Sequence, residues 1–159
     1  MIRSKILYGL ESAQLNEPHV KRLNTFQLKG LRKILHLQTT YIDRDNTNAK
    51  VIADANARSG GTHISLFSEV YERSKIKLFA KLIIANNDNP VKSTTLNPEL
   101  QAWEHANRRV GRPKMKWATE AANSLWEAME GGATKLNLLD MTHRNRLVEM
   151  AQTYAYIQP

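Results

Sequence analysis

An all-α fold, an irregular bundle of about six helices with a basic Gly-Arg-Pro loop, follows from three features of this 159-residue chain. Apolar residues recur at helical spacing in segment after segment. No segment alternates convincingly with a period of two. Capping and breaking residues, such as Asn16-Glu17-Pro18, Ser59-Gly60-Gly61 and Gly131-Gly132, bound the periodic segments.

The elements are expected in this order. Ile2 to Ala13 reads as a helix with Ile6, Leu7 and Leu10 on one side. Asn16-Glu17-Pro18 then supplies an N-cap, an acid and a proline in the first turn of the next helix, with Leu15 and Val20 placed as a hydrophobic staple. That helix, Glu17 to His36, has the clearest pattern. Val20, Leu23, Leu28, Leu31, Ile34 and Leu35 share one arc, and Lys21, Arg22, Lys29, Arg32 and Lys33 share a separate arc of roughly 120°. One face wants a core and the other is a basic stripe without an acid, more one-sided than solubility requires. Gln38 to Asn46 is a polar connector. Asn46 or Thr47 caps a short helix to Ala57, with Val51, Ile52 and Ala55 as its apolar side.

Thr62 is the expected cap of the longest helix, which runs to Ala85. Phe67, Val70, Tyr71, Leu78 and Leu82 form its stripe, and Ile76, Phe79 and Ile83 broaden it, as in a helix contacted on more than one side. Asn86 to Asn107 is the longest irregular stretch, with a turn of helix at Pro98 to His105. A helix from Trp117 to Glu130 buries Trp117, Ala121, Leu125 and Ala128. A last helix, Asp140 to Ile157, presents Leu147, Met150, Ala151, Tyr154 and Ile157. The expected organisation is a helical core over 1–85, an irregular basic linker over 86–116 and a C-terminal helical pair over 117–159.

Bulk properties narrow the function. A formal charge of +8 and a pI near 9.8 point to nucleic acid or another anionic surface as partner. No run of about 18 apolar residues exists, so no membrane span is expected. The absence of cysteine excludes disulfides, thiolate zinc sites and thiol nucleophiles. Met1 to Ile6 lacks the apolar core of a signal peptide. It bears Arg3 and Lys5 without an acid, compatible with a short organellar presequence, but its apolar spacing reads better as the start of a helix.

The second basic feature is Arg108-Arg109-Val110-Gly111-Arg112-Pro113-Lys114-Met115-Lys116-Trp117. Gly111 and Pro113 disfavour a helix there, so Arg108, Arg109, Arg112, Lys114 and Lys116 ride on a bent or extended segment that can follow a polyanion. A solvated loop is the bland alternative. Gly111-Arg112-Pro113 is also the heart of an AT-hook, which enters an A·T minor groove, although Val110 stands where a cation usually precedes the glycine. His19, His36, His63, His105 and His143 are scattered without ligand spacing, no phosphate-binding glycine loop is present, and no cofactor or metal is expected. Trp103, Trp117 and Trp126 read as core anchors, with only Trp103 free enough to stack on a base.

Five words in the chain carry a more specific resemblance. They are Leu7-Tyr8-Gly9-Leu10-Glu11, Phe26 to Leu35 with the pattern F-x-x-x-x-L-R-x-I-L, Arg44 to Val51 with R-x-x-x-N-x-x-V, Leu78 to Leu82, and Arg109 to Trp117 with its Gly-Arg-Pro. In this order they resemble the thumb and post-thumb tail of non-LTR (LINE-like) retrotransposon reverse transcriptases, protist copies above all, over Leu7 to Trp117. Ala80 and Lys81 stand where that family usually has Gly-His. The resemblance implies helices that grip template-primer or element RNA. It also implies that the palm, whose carboxylates hold two metal ions, is not in this sequence. Tyr41-Ile42-Asp43-Arg44-Asp45 mimics the palm motif only superficially, because an arginine separates the acids and no hairpin pattern flanks them.

The expectation is therefore a non-catalytic module that binds RNA or an RNA/DNA duplex through backbone phosphates. Lys21, Arg22, Lys29, Arg32 and Lys33 would act from a helix, and Arg108, Arg109, Arg112, Lys114 and Lys116 from a loop. Its rival is a recruited structural subunit of a ribosome, another ribonucleoprotein or an organellar complex, with protein neighbours on the apolar faces. An intracellular setting is expected for both: the nucleus for an element-derived fragment, the mitochondrion for a recruited subunit.

Overall fold

The structure is a computed structural model that describes residues 6–101, 117–130 and 134–156. Among them lie a 3-10 turn, Leu10–Ser12, and six α-helices: α1 Glu17–Leu35, α2 Asn48–Arg58, α3 Phe67–Ile84, α4 Pro90–Thr95, α5 Trp117–Glu130 and α6 Met141–Tyr156. No strand occurs among the described residues, and the fold is all-α. The chain forms two compact units. Among the described residues, one comprises 6–7 and 15–71 and the other 8–14, 72–101, 117–130 and 134–156, so the division falls inside α3.

In the first unit, α1 begins where the sequence places it. The Asn16 side chain accepts the His19 N–H at 3.1 Å, satisfying one of the orphan donors of the first turn. The helix ends at His36, which takes the left-handed conformation (φ 56°) usually left to glycine, and the Leu37 N–H closes the last turn on the Arg32 carbonyl at 2.9 Å. Helix α2 is capped by Thr47, whose hydroxyl accepts the Lys50 N–H at 3.3 Å. Leu28 and Leu35 of α1 pack with Val51 and Ala55 of α2, flanked by Leu31, Leu37, Ile52 and Ile64. Fully burying a side chain such as Val51 or Leu35 contributes roughly 1.5–3 kcal/mol. Gly60 and Gly61, both at positive φ (64° and 93°), turn the chain after α2.

Helix α3 starts at Phe67, five residues after the expected cap at Thr62. Its leading N–H groups are capped from α1 instead. Gln27 Oε1 accepts the Phe67 N–H at 2.7 Å while Gln27 Nε2 donates to the Ser65 carbonyl at 2.9 Å. Asn24 Oδ1 accepts the Ser68 N–H at 3.0 Å, and Asn24 Nδ2 donates to the Ser68 hydroxyl at 2.9 Å. Phe67 and Tyr71 are buried here, and the Tyr71 hydroxyl accepts the Leu15 N–H at 3.2 Å.

The second unit is built on the remainder of α3. Phe79, Leu125 and Leu147 are fully buried, together with Ile76, Ala80, Ile83, Leu96 and Met150. Ala118, Ala121 and Ala122 give α5 a flat inner face on which neighbouring chain can pack closely. Trp117 meets Phe79 edge-to-face at 6.1 Å and donates its indole N–H to the Glu11 carbonyl at 2.9 Å, fastening the Leu10–Ser12 turn. Trp126 donates to the Thr134 carbonyl at 2.8 Å and lies against the His143 ring, whose Nδ1 accepts the Asn137 N–H at 3.0 Å. The Lys92 ammonium reaches back to the Ile83 and Ala85 carbonyls at the end of α3, at 2.9 and 2.6 Å. The buried Lys75 ammonium sits 2.8 Å from Glu72.

Four further expectations change. The helix expected from Ile2 to Ala13 stops after Leu7 in its described part, because Gly9 adopts φ 73° and a 3-10 turn follows. The stretch expected to be irregular holds α4, capped by Asn89, whose side chain accepts the Val91 and Lys92 N–H groups. Within the turn of helix expected at Pro98 to His105, the described part is a bend in which the Leu100 N–H meets the Asn97 carbonyl at 2.9 Å. On α5, Ala128 is exposed, and the burial falls on Ala118, Ala122 and Trp126 as well as on Ala121 and Leu125.

Candidate nucleic-acid interface

The candidate surface is the outer side of α1. Leu28 and Leu35 bury one flank of this helix, and Gln27 and Asn24 bond to the start of α3, so its rotation about its own axis is fixed. Successive residues turn about 100°. Lys29, Arg22, Lys33 and Phe26 therefore fall, in that order, within roughly 60° of arc on the side opposite the buried one. All four are exposed. Arg22, Lys29 and Lys33 make no ion pair with any described residue. The only acid of the helix is Glu17, in its first turn.

The five expected helix cations thus divide. Arg22, Lys29 and Lys33 are free to meet an anion. Lys21 lies outside the strip, about 80° from Lys29 and beside the buried flank, and pairs with Glu17 at 2.5 Å, both side chains remaining largely in water. That contact, a hydrogen bond plus charge attraction, holds the Glu17 carboxyl below its ordinary range. Arg32 has a structural task. Partly buried, it donates through Nη2 to the Asn46 carbonyl at 3.2 Å and to Asn48 Oδ1 at 2.7 Å. Asn46, considered above as a helix cap, is instead buried and donates to the Gln38 carbonyl at 3.1 Å. Arg32 therefore braces the connector between α1 and α2.

Phe26 stands outside the contact residues expected from the sequence. Its side chain is 56% exposed, one helical turn after Arg22 and one before Lys29. The signal was available: Phe26 lies outside the apolar arc of its own helix. Ile34, which belongs to that arc by its spacing, lies near the end of it that faces Phe26 and is 71% exposed, with Gly30 between the two in open space.

The loop cations Arg108, Arg109, Arg112, Lys114 and Lys116 lie outside the described residues, as do Trp103 and Gly131-Gly132. Among the described residues no group of three or more His, Asp or Glu could hold a metal ion. Asp43 accepts the Asp45 N–H at 3.0 Å, a local turn that turns one carboxylate toward the backbone rather than toward its neighbour. A cavity of about 290 Å³ in the second unit is lined by Asn123, Trp126, Glu127, Thr134, Lys135 and Leu136. No described helix is long and apolar enough to cross a membrane. No protein-family model, curated protein or solved structure matches the chain.

Proposed function

We propose that this protein is a non-catalytic module that binds RNA or an RNA/DNA duplex through the outer face of α1. The reading rests on one observation above all. Arg22, Lys29 and Lys33 project from one side of a helix whose other side is anchored, and no acid of the described protein neutralises them. Like charges one turn apart on a helix repel by about 0.2–0.5 kcal/mol per pair, and an anion that meets the strip relieves that repulsion. The overall charge of +8 and the resemblance of Leu7 to Trp117 to a reverse transcriptase thumb and tail support the same reading. Phosphate contacts position a nucleic acid without specifying its sequence, so little sequence preference is expected.

The test is fluorescence anisotropy of the purified chain with labelled RNA, RNA/DNA duplex and duplex DNA. Binding that disappears in the Arg22→Ala/Lys29→Ala/Lys33→Ala triple variant supports the reading. A wild-type chain that binds none of them at low salt overturns it. The exposure of Ile34, Tyr41 and Ile42 in the same unit favours a second reading, a subunit of a ribonucleoprotein or organellar assembly. Purification from source separates the two: a fixed stoichiometric particle, mitochondrial or other, marks the subunit, and a free or RNA-bound nuclear protein marks the first reading.

A further inference from the structure

We infer that the strip on α1 is a platform for unpaired nucleotides, with one base stacked on Phe26 and the flanking phosphates held by Arg22, Lys29 and Lys33. The inference rests on the reading just given and narrows it from nucleic acid in general to single strands.

An exposed apolar side chain is by itself unremarkable. Phe26 differs in its company. Arg22 precedes it by four residues, Lys29 follows by three and Lys33 by seven, so all three rise from its own side of the helix. Whatever covers the ring must accept three cations beside an apolar face. A nucleotide offers this combination in one unit: a π surface for the ring and a phosphate on either side of the base. Along the axis, Arg22 stands about 6 Å before Phe26 and Lys29 about 4.5 Å after it, so the cations flank the ring closely enough to engage the phosphates adjoining one base. In a duplex the bases are already stacked on one another, and an aromatic side chain gains such a contact only where a base has left the stack. The cations alone would serve a duplex equally well; the phenyl ring is what favours a strand with free base faces.

The test compares a labelled single strand of twelve nucleotides with the duplex of the same sequence, titrated with wild type and four single variants. Circular dichroism of each variant checks that the fold is intact. Phe26→Ala should weaken single-strand binding roughly 5- to 150-fold, the equivalent of one lost base stack, and change duplex binding less than about twofold. Phe26→Leu, which keeps apolar bulk without a π face, should match Phe26→Ala, and Phe26→Trp should match or exceed wild type. Ile34→Ala should have no effect. If Phe26→Ala leaves single-strand binding unchanged while the triple cation variant abolishes it, stacking is wrong and the phosphate reading stands. Equal losses from Phe26→Ala and Ile34→Ala on both ligands would mark the stripe as a protein-packing face and also overturn stacking. A wild-type chain that binds neither ligand overturns the parent reading.

Discussion

Gln27, in the middle of α1, holds the first residue of α3: its Oε1 accepts the Phe67 N–H at 2.7 Å, while its Nε2 donates to the Ser65 carbonyl two residues earlier. A single buried amide thus satisfies a donor and an acceptor at a helix start that has no local cap. Because Gln27 is rigidly placed on α1, the same contact helps to set which face of α1 remains in water.

Replacing Gln27 by alanine leaves the Phe67 N–H and the Ser65 carbonyl without partners in a buried setting. The expected loss is about 1–3 kcal/mol of unfolding free energy, read from chemical denaturation. Gln27→Glu is expected to be no better, since a carboxylate cannot donate to the Ser65 carbonyl.

Arg32 should behave differently from its neighbours on the stripe. Arg32→Ala removes the brace on Asn46 and Asn48 and should cost about 1–3 kcal/mol of stability. Lysine should not restore it, because a single ammonium cannot reproduce the guanidinium fork. Nucleic-acid affinity, measured at a temperature where the variant is folded, should stay near wild type.

Salt dependence separates the free cations from the engaged ones. If the three free cations of α1 each neutralise a phosphate on a duplex, they contribute about −2.7 to the slope of log K against log salt. Arg22→Ala, Lys29→Ala and Lys33→Ala should each make the slope shallower by about 0.9. Lys21→Ala should change it less, since Glu17 already offsets that charge. A wild-type slope near zero would remove the electrostatic account.

In the second unit, Phe79→Ala should cost about 3–5 kcal/mol, because it opens a cavity at a fully buried position and removes the edge contact to Trp117. Trp117→Phe keeps an aromatic ring there but loses the bond to the Glu11 carbonyl. A loss of about 0.5–1.5 kcal/mol is expected, with faster amide exchange in the Leu10–Ser12 turn as its local signature.

Acid sensitivity has an identifiable contributor at the start of α6. The Thr142 N–H, donating to Asp140 Oδ1 at 2.8 Å, holds the Asp140 carboxyl below its ordinary value. A carboxyl whose pKa is lower in the folded than in the unfolded chain stabilises the fold above the unfolded value and loses that contribution as pH falls through the folded one. Asp140→Asn keeps an acceptor for Thr142 and removes the titration, so its stability should fall less steeply on acidification than that of wild type. Urea denaturation repeated from neutral to acid pH reads the difference.

Much of the helical framework was legible because it is written locally. Asn16 caps α1 and Thr47 caps α2 through side-chain bonds only three residues long. The apolar residues Leu28, Leu35, Val51 and Ala55 meet as their spacing implies. The start of α3 is not legible locally, because its caps, Asn24 and Gln27, lie some forty residues away in the chain and resemble ordinary polar residues in a helix. Helix α4 is hard to read in the sequence because a proline, one valine and four polar residues carry little periodicity, although Asn89-Pro90 is a cap signal.

The sequence by itself determined the all-α class, the two-faced character of α1 and the excess of positive charge, since periodicity and composition depend only on the order and type of residues. Tertiary structure decided which cations are free. Spacing places Arg32 on the stripe as readily as Lys29, and only the approach of Asn46 and Asn48 engages one and leaves the other in water. Phe26 joins the cations for the same reason: the buried flank of a helix is set by what packs against it, and that is a property of the folded chain.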